Sequence, residues 1–136
     1  MSTITTIALT ALSLTSHLKE ASGKRSDVYG ISNELYCGDV GKPQACSKGA
    51  TTASGAGFDP DLPSVALALP RGFKIRPTLI WVKTLQSKCQ AIWLTDKKNP
   101  KHGKHRPWDV SVAAAKLLGF KGTRDTLHLC NEVKPL

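Results

Sequence analysis

The chain has 136 residues, of which 40% are hydrophobic and 21% charged, a size and composition typical of one globular domain with an extension. No apolar run reaches the roughly 18 to 20 residues that a membrane helix needs, so we expect no membrane span. The net charge of +9 predicts affinity for polyanions, but it does not choose among nucleic acid, anionic surface polymers and acidic protein surfaces.

Residues 1–27 are predicted to form an N-terminal arm and a linker. The segment ITTIALTALSL at 4–14 resembles the apolar part of a signal peptide, but no Lys or Arg precedes it and no A-x-A-like site follows closely. We therefore expect the arm to be retained and to bury its apolar side chains against its own barrel or, our favoured interpretation, another protein chain. Its periodicity fits either a helix or a strand. Residues 22–27 (SGKRSD) are interpreted as a polar linker.

Residues 28–136 are predicted to form one domain of short strands. The clearest pattern is a hairpin, with strands at 78–85 and 89–95 around a three-residue loop. A helix is predicted near 111–118, with Ser111 as its N-cap and Gly119 as its C-terminal cap. Further strands are predicted to open near 28–31 and to lie at 64–69 and 126–130, while 37–57 is interpreted as loop. Several short strands with one late helix indicate a small closed barrel.

Basic residues are concentrated in a predicted loop at 96–107, which contains Lys97, Lys98, Lys101, Lys104 and Arg106. The loop is either a solvated surface or a contact for an anionic partner. It has no interleaved aromatic residues for base stacking, which argues against nucleic acid. The H-x-x-H spacing at 102–105 has no supporting cysteine pair or helix, so we predict no metal or other cofactor.

The four cysteines are Cys37, Cys46, Cys89 and Cys130, and they allow three disulfide connectivities or a reduced state. We favour Cys37–Cys46 across a short loop-like segment and Cys89–Cys130 between two late strands. Structural disulfides would imply exposure to an oxidising place.

Four stretches, in this order, resemble the rare-lipoprotein-A family. They are TASG at 52–55 followed by Phe58, VALALPRG at 65–72, TDKKNP at 95–100 and DVSVAAAKLLG at 109–119. The resemblance implies an all-β fold, a six-stranded double-psi β-barrel with one short inserted helix, shared by membrane-bound lytic transglycosylase A and expansins. The chain departs from the family at Ala56, where the family has glutamate, and at 97–99, where lysines and an asparagine replace Arg-Gly.

The resemblance implies a peptidoglycan-directed protein with Asp109 as the candidate catalytic acid. One carboxylate suffices for a lytic transglycosylase, because the 6-hydroxyl of the substrate attacks in place of water. The alternative is that Asp109 only satisfies N–H groups at the helix start. Asp39 is a second candidate carboxylate or simply a turn residue. The predicted substrate-binding residues are Trp108 (by stacking), Asp96 (which would otherwise organise its loop), Lys97, Lys98 and Arg106.

Three functions remain open. The first is a phage virion or tail-associated component that binds or cleaves peptidoglycan or another anionic glycan, which would explain an extracytoplasmic site of action without a convincing signal peptide. The second is a non-catalytic adaptor of a virion assembly. The third is a secreted expansin-like or cerato-platanin-like polysaccharide-binding protein. Whether the protein is an enzyme is left open by the sequence.

Overall fold

The computed structural model of the protein describes residues 13–28, 51–102 and 104–130. Within these ranges no helix is long and apolar enough to span a bilayer. The elements are helix α1 (Leu14–Ala21), strands β1 (Lys24–Val28), β2 (Ser64–Ala68), β3 (Thr78–Lys83) and β4 (Gln90–Lys98), a 3-10 helix (Pro100–His102), strand β5 (Trp108–Val110), helix α2 (Val112–Leu117) and strand β6 (Arg124–Leu129).

The six strands close into one barrel in the order β1-β5-β2-β4-β3-β6. Strands β1 and β5, and likewise β2 and β4, pair in parallel, whereas the other neighbours are antiparallel. Closure pairs both edges of every described strand, so the sheet exposes no edge to another chain. The prediction of a six-stranded barrel with a short helix inserted late is confirmed.

The predicted hairpin of β3 and β4 forms, with Ile80 opposite Ile92 and Val82 opposite Gln90. Its strands are connected by six residues, 84–89, and not by the predicted three. Alternate residues enter the core, as expected for a strand with one buried face. Strand β4 continues to Lys98, however, because Ala66 to Ala68 of β2 pair with 96–98 in parallel. The prediction that 96–98 belong to a loop is therefore wrong.

Helix α2 also follows the prediction. The hydroxyl of Ser111 accepts a hydrogen bond from the amide of Ala114 at 3.2 Å, and it also accepts one from the amide of Ser64 at 3.0 Å. Gly119, just beyond the helix, has a φ of +64°, a conformation that favours glycine. Ser111 thus caps the helix and also bonds it to the first residue of β2.

The interpretation of residues 22–27 as a linker is wrong, because Lys24–Val28 form β1. This strand pairs with β5 on one side and β6 on the other. Its alternation is short but clear: Ser26 and Val28 are buried, and Asp27 between them is partly exposed. The barrel thus begins at Lys24, before the boundary expected at residue 28.

The part of the arm that the structure describes is helix α1, which packs on the chain's own barrel. Ser13 is its N-cap, and Leu18 and Ala21 are buried in the barrel core. The hydroxyl of Ser22 accepts a hydrogen bond from the amide of Leu129 in β6 at 2.9 Å. Burial against another chain is therefore wrong for Leu18 and Ala21, and residues 1–12 lie outside the described residues.

A disulfide joins Cys89, just before β4, to Cys130, just after β6, as predicted. The two strands lie on either side of β3, so the bond spans three neighbouring strands of the barrel. The other predicted pair, Cys37 and Cys46, lies outside the described residues.

Candidate functional site

One row of paired residues defines the inner face of the barrel wall. The row crosses β1, β5, β2 and β4, and all its members are buried in the core: Val28, Val110, Val65 and Leu94. Successive side chains of a strand point to opposite faces, so the next row of paired residues faces outward. Burial of each inner side chain contributes on the order of 1.5–3 kcal/mol, which fixes this register firmly.

The outer row is a line of charged side chains around one alanine. Asp109 pairs with Asp27 of β1 on one side and with Ala66 of β2 on the other. Ala66 pairs in turn with Asp96 of β4, where a bulge restores the alignment, and Asp27 pairs with Arg124 of β6. Because neighbouring strands are about 4.8 Å apart, the row crosses the five strands within roughly 20 Å. Ala66, between two carboxylates in this row, is itself buried, with 4% of its surface exposed.

Asp109 forms an ion pair with Lys98, whose Nζ lies 3.0 Å from Oδ1 of the carboxylate. Both side chains are largely covered, with 23% of Asp109 and 11% of Lys98 exposed. Strand β4 places Lys98 next to Ala68, two residues beyond Asp96, so the ammonium crosses over β2 to reach Asp109. Lys98, which the sequence predicted to bind substrate, is thus paired with a carboxylate of its own barrel in this structure.

Burial raises the pKa of Asp109 above its ordinary value of 3.8. The ammonium of Lys98 acts in the opposite direction, through its hydrogen bond and its charge, but burial is the larger effect. The neighbouring carboxylate of Asp27 also raises this pKa. Asp109 is therefore better able to hold a proton than an aspartate in water, which a proton donor requires.

Asp27 is the second carboxylate of this face, and the sequence analysis missed it. Its Oδ1 accepts a hydrogen bond from Nε of Arg124 at 2.8 Å, and its Oδ2 accepts one from Nη1 of Arg106 at 3.4 Å. Asp27 thus forms ion pairs with two guanidinium groups. Only the pairing of β1 with β5 brings it beside Asp109, and nothing local in the sequence signals that pairing.

The alternative interpretation of Asp109, as a residue that satisfies N–H groups at the helix start, is wrong in this structure. The hydroxyl of Ser111 performs that role, and the Asp109 carboxylate bonds to Lys98 instead. Strand β5 separates the two functions, because it turns Asp109 outward while Ser111 begins the helix beyond it. The carboxylate is thus not needed for capping.

Trp108 was expected to stack on sugar, but its side chain is fully buried. Its ring lies inside the barrel because β5 alternates, with Trp108 and Val110 inward and Asp109 outward. The indole Nε1 donates a hydrogen bond to the carbonyl of Ala21 at 2.8 Å, at the end of α1. A sugar cannot reach this ring, so the stacking role is corrected to a structural one.

The indole of Trp93, by contrast, is accessible to solvent. It is 40% exposed and lies on β4, three residues before Asp96. It lines an apolar pocket of about 170 Å³ together with Phe58, Leu62, Pro77 and Thr95, among others. Flat apolar surfaces of this kind suit the faces of sugar rings. The alternation of β4, which turns Trp93 outward, is the sequence pattern that could have indicated this residue.

Asp96 lies on β4 and not in the predicted loop, and it organises instead the neighbouring turn that contains Ala53. Its Oδ1 accepts hydrogen bonds from the amide of Ala53 at 3.0 Å and from the amide of Lys97 at 2.9 Å. Thr52 closes the same turn by donating its hydroxyl proton to the carbonyl of Ala56 at 2.7 Å. Ala56, which replaces the family's glutamate, lines the Trp93 pocket and supplies no carboxylate there.

The other predicted site residues are divided between internal contacts and the surface. Nζ of Lys97 donates to the carbonyl of Phe73 at 2.7 Å, so this cation serves the fold. Arg106 contacts Asp27 at the surface, whereas Asp39 lies outside the described residues. Across the described ranges, no group of three or more metal-ligating side chains is brought together.

No protein-family model and no curated protein sequence matches the chain.

Proposed function

We propose that the protein is a glycan-directed barrel that acts on peptidoglycan, with Asp109 as its proton donor. The observation that supports this most is the environment of Asp109. It is a largely covered carboxylate with a raised pKa, on the outer face of the barrel, between the small Ala66 and a second carboxylate. The resemblance of four stretches to the rare-lipoprotein-A family supplies the substrate class.

The proposed reaction is an intramolecular displacement within the glycan. Protonated Asp109 gives its proton to the bridging O4 oxygen as the C1–O4 bond breaks. The C6 hydroxyl of the same sugar then bonds to C1 and returns its proton to the Asp109 carboxylate. The product carries a 1,6-anhydro ring, and the catalytic carboxyl is restored to its protonated form.

The neighbours of Asp109 set the conditions for this reaction. Asp27 is held by two arginines, and its proposed role is to disfavour negative charge on Asp109, whose pKa it raises. Lys98 favours the carboxylate form, and the arriving glycan has to separate this ion pair before Asp109 can donate a proton. Trp93 is the proposed sugar platform on the same outer face.

A second candidate is a barrel that binds glycan, or joins partner proteins, without catalysis. The ion pair between Lys98 and Asp109 favours it, because a paired carboxylate is a poor acid, and so does the absence of a carboxylate at Ala56.

For both candidates we propose action outside the reducing cytoplasm, with which the Cys89–Cys130 disulfide is compatible. A phage virion and a secreted polysaccharide-binding protein are the two settings we propose.

Purified murein sacculi test the proposal directly. The protein is incubated with sacculi, the pellet is assayed for bound protein, and the soluble products are identified by mass spectrometry. Release of 1,6-anhydro ends supports the catalytic proposal, whereas saturable binding without release supports the second candidate. If intact sacculi show neither bound protein nor released products, peptidoglycan is ruled out as the target.

A further inference from the structure

A cationic pocket lies beside Asp27, whose two arginine partners line it. It has a volume of about 450 Å³ and is built by β1, β6 and the segment before β5. Its lining residues are mostly basic: Gly23, Lys24, Arg25, Lys104, His105, Arg106, Arg124 and Thr126. Five permanent positive charges therefore surround one cavity, and Asp27 is the carboxylate bonded to two of them.

The barrel register holds these cations together. Arg25 pairs with Thr126 and Asp27 pairs with Arg124, so both arginines face outward from neighbouring strands. Asp27 draws Arg106 in from the segment before β5. Like charges would repel one another in this arrangement, and Asp27 offsets only part of that repulsion.

The guanidinium groups keep most of their donors for a ligand. Arg124 uses its Nε to reach Asp27, and Arg106 uses one terminal nitrogen, among the hydrogen bonds of the described residues. Each guanidinium has five N–H donors, so several remain on both side chains. Two partly bonded guanidinium forks with a threonine hydroxyl nearby suit a tetrahedral oxyanion.

We propose that this pocket binds phosphate groups of a polymer with a sugar or polyol backbone. The excess of positive charge favours a phosphate-bearing chain over a single carboxylate. The pocket lining contains no Phe, Tyr or Trp, so it offers no such ring for stacking a nucleic-acid base. This inference goes beyond the proposed function, because it depends neither on catalysis at Asp109 nor on murein.

Isothermal titration calorimetry of the full chain tests the pocket with inorganic phosphate, poly(glycerol phosphate) and a single-stranded oligonucleotide with the same number of phosphates. We expect saturable binding of poly(glycerol phosphate), weaker binding of inorganic phosphate, and affinity that falls as salt rises. The double variant Arg25→Gln/Lys104→Gln should weaken polymer binding by about tenfold or more.

The matched control is Lys88→Gln/Lys121→Gln, which removes the same charge at exposed positions outside the pocket. It should change polymer affinity by less than about threefold, as expected for weak surface electrostatics. Three results would each overturn the proposal. They are an equal loss of polymer affinity in both double variants, the absence of saturable polymer binding, and tighter binding of the oligonucleotide than of poly(glycerol phosphate). Murein release measured in parallel separates this failure from failure of the catalytic proposal.

Discussion

Asp27 and Asp109 lie directly opposite each other on the parallel strands β1 and β5, with Val28 and Val110 buried in the next position of the same register. The hydrophobic pair thus fixes the distance between the two carboxylates. Their surroundings differ, because Asp27 contacts two arginines at the surface and Asp109 contacts one covered lysine. Burial and the nearby charge of Asp27 both raise the pKa of Asp109, against the effect of Lys98.

Replacing the candidate acid should separate catalysis from binding. In Asp109→Asn, murein release should fall by at least about a hundredfold, since general acid catalysis contributes roughly that much. Binding to sacculi and the circular dichroism spectrum should stay unchanged. Asp61→Asn, at an exposed loop carboxylate, is the matched control. An Asp109→Asn protein that still releases anhydro products would exclude this residue from the chemistry.

The raised pKa of Asp109 gives stability a defined pH dependence. The folded protein holds this proton at a pH where the unfolded chain has already lost it, so the wild type should lose stability as pH rises from the ordinary value of 3.8 through the raised pKa. In Asp109→Asn this contribution is absent. Denaturant unfolding of both proteins across that window measures it, as the difference between their slopes. A carboxyl titration by NMR that places Asp109 at or below 3.8 would contradict the prediction.

Asp27→Asn should lower the pKa of Asp109, because it removes a nearby negative charge that raises it. It should also cost roughly 0–1 kcal/mol of stability for each of the two surface ion pairs lost. The carboxyl NMR titration of Asp109 measures the first effect, and denaturant unfolding measures the second. If the titration of Asp109 is identical in wild type and variant, the two carboxylates are not coupled.

The two tryptophans should respond oppositely to substitution. Trp108→Phe removes the donor to the Ala21 carbonyl inside the barrel and should cost about 1–3 kcal/mol, without a direct effect on glycan binding. Trp93→Ala should weaken binding to sacculi, while its partly exposed position limits the loss of stability. Denaturant unfolding and pull-down on murein distinguish them. Loss of murein binding in a folded Trp108→Phe protein would restore the stacking role.

The disulfide should contribute strongly to stability. Cys89 and Cys130 are separated by 41 residues, and closing a loop of that length is worth up to about 4 kcal/mol in the chain-entropy account. The variant Cys89→Ser/Cys130→Ser should therefore unfold at lower denaturant concentration than the wild type. Equal midpoints under the same non-reducing conditions would show that the bond is energetically neutral.

Local patterns were sufficient to predict the hairpin of β3 and β4 and the helix α2, because their periodicity and caps lie within short stretches of sequence. Strand β1 was missed because KRSDV is too polar to resemble a strand, and its partners β5 and β6 are distant in the chain. Asp27 was missed for the same reason, because only the pairing of these distant strands brings it beside Asp109. Trp108 was misjudged because a strand of three residues has too little periodicity to show which side chain points inward.

Because β6 lies between β1 and β3, the barrel cannot close until β6 is present. Among the described strands β6 comes last in sequence, yet it pairs with β1 and closes the barrel. Contacts between distant segments form slowly, because the entropy of closing the intervening loops is lost before the contacts stabilise the chain. A ribosome-bound chain lacking β6 would leave β1 and β3 with open edges, so a protein of this topology would benefit from chaperone protection during synthesis.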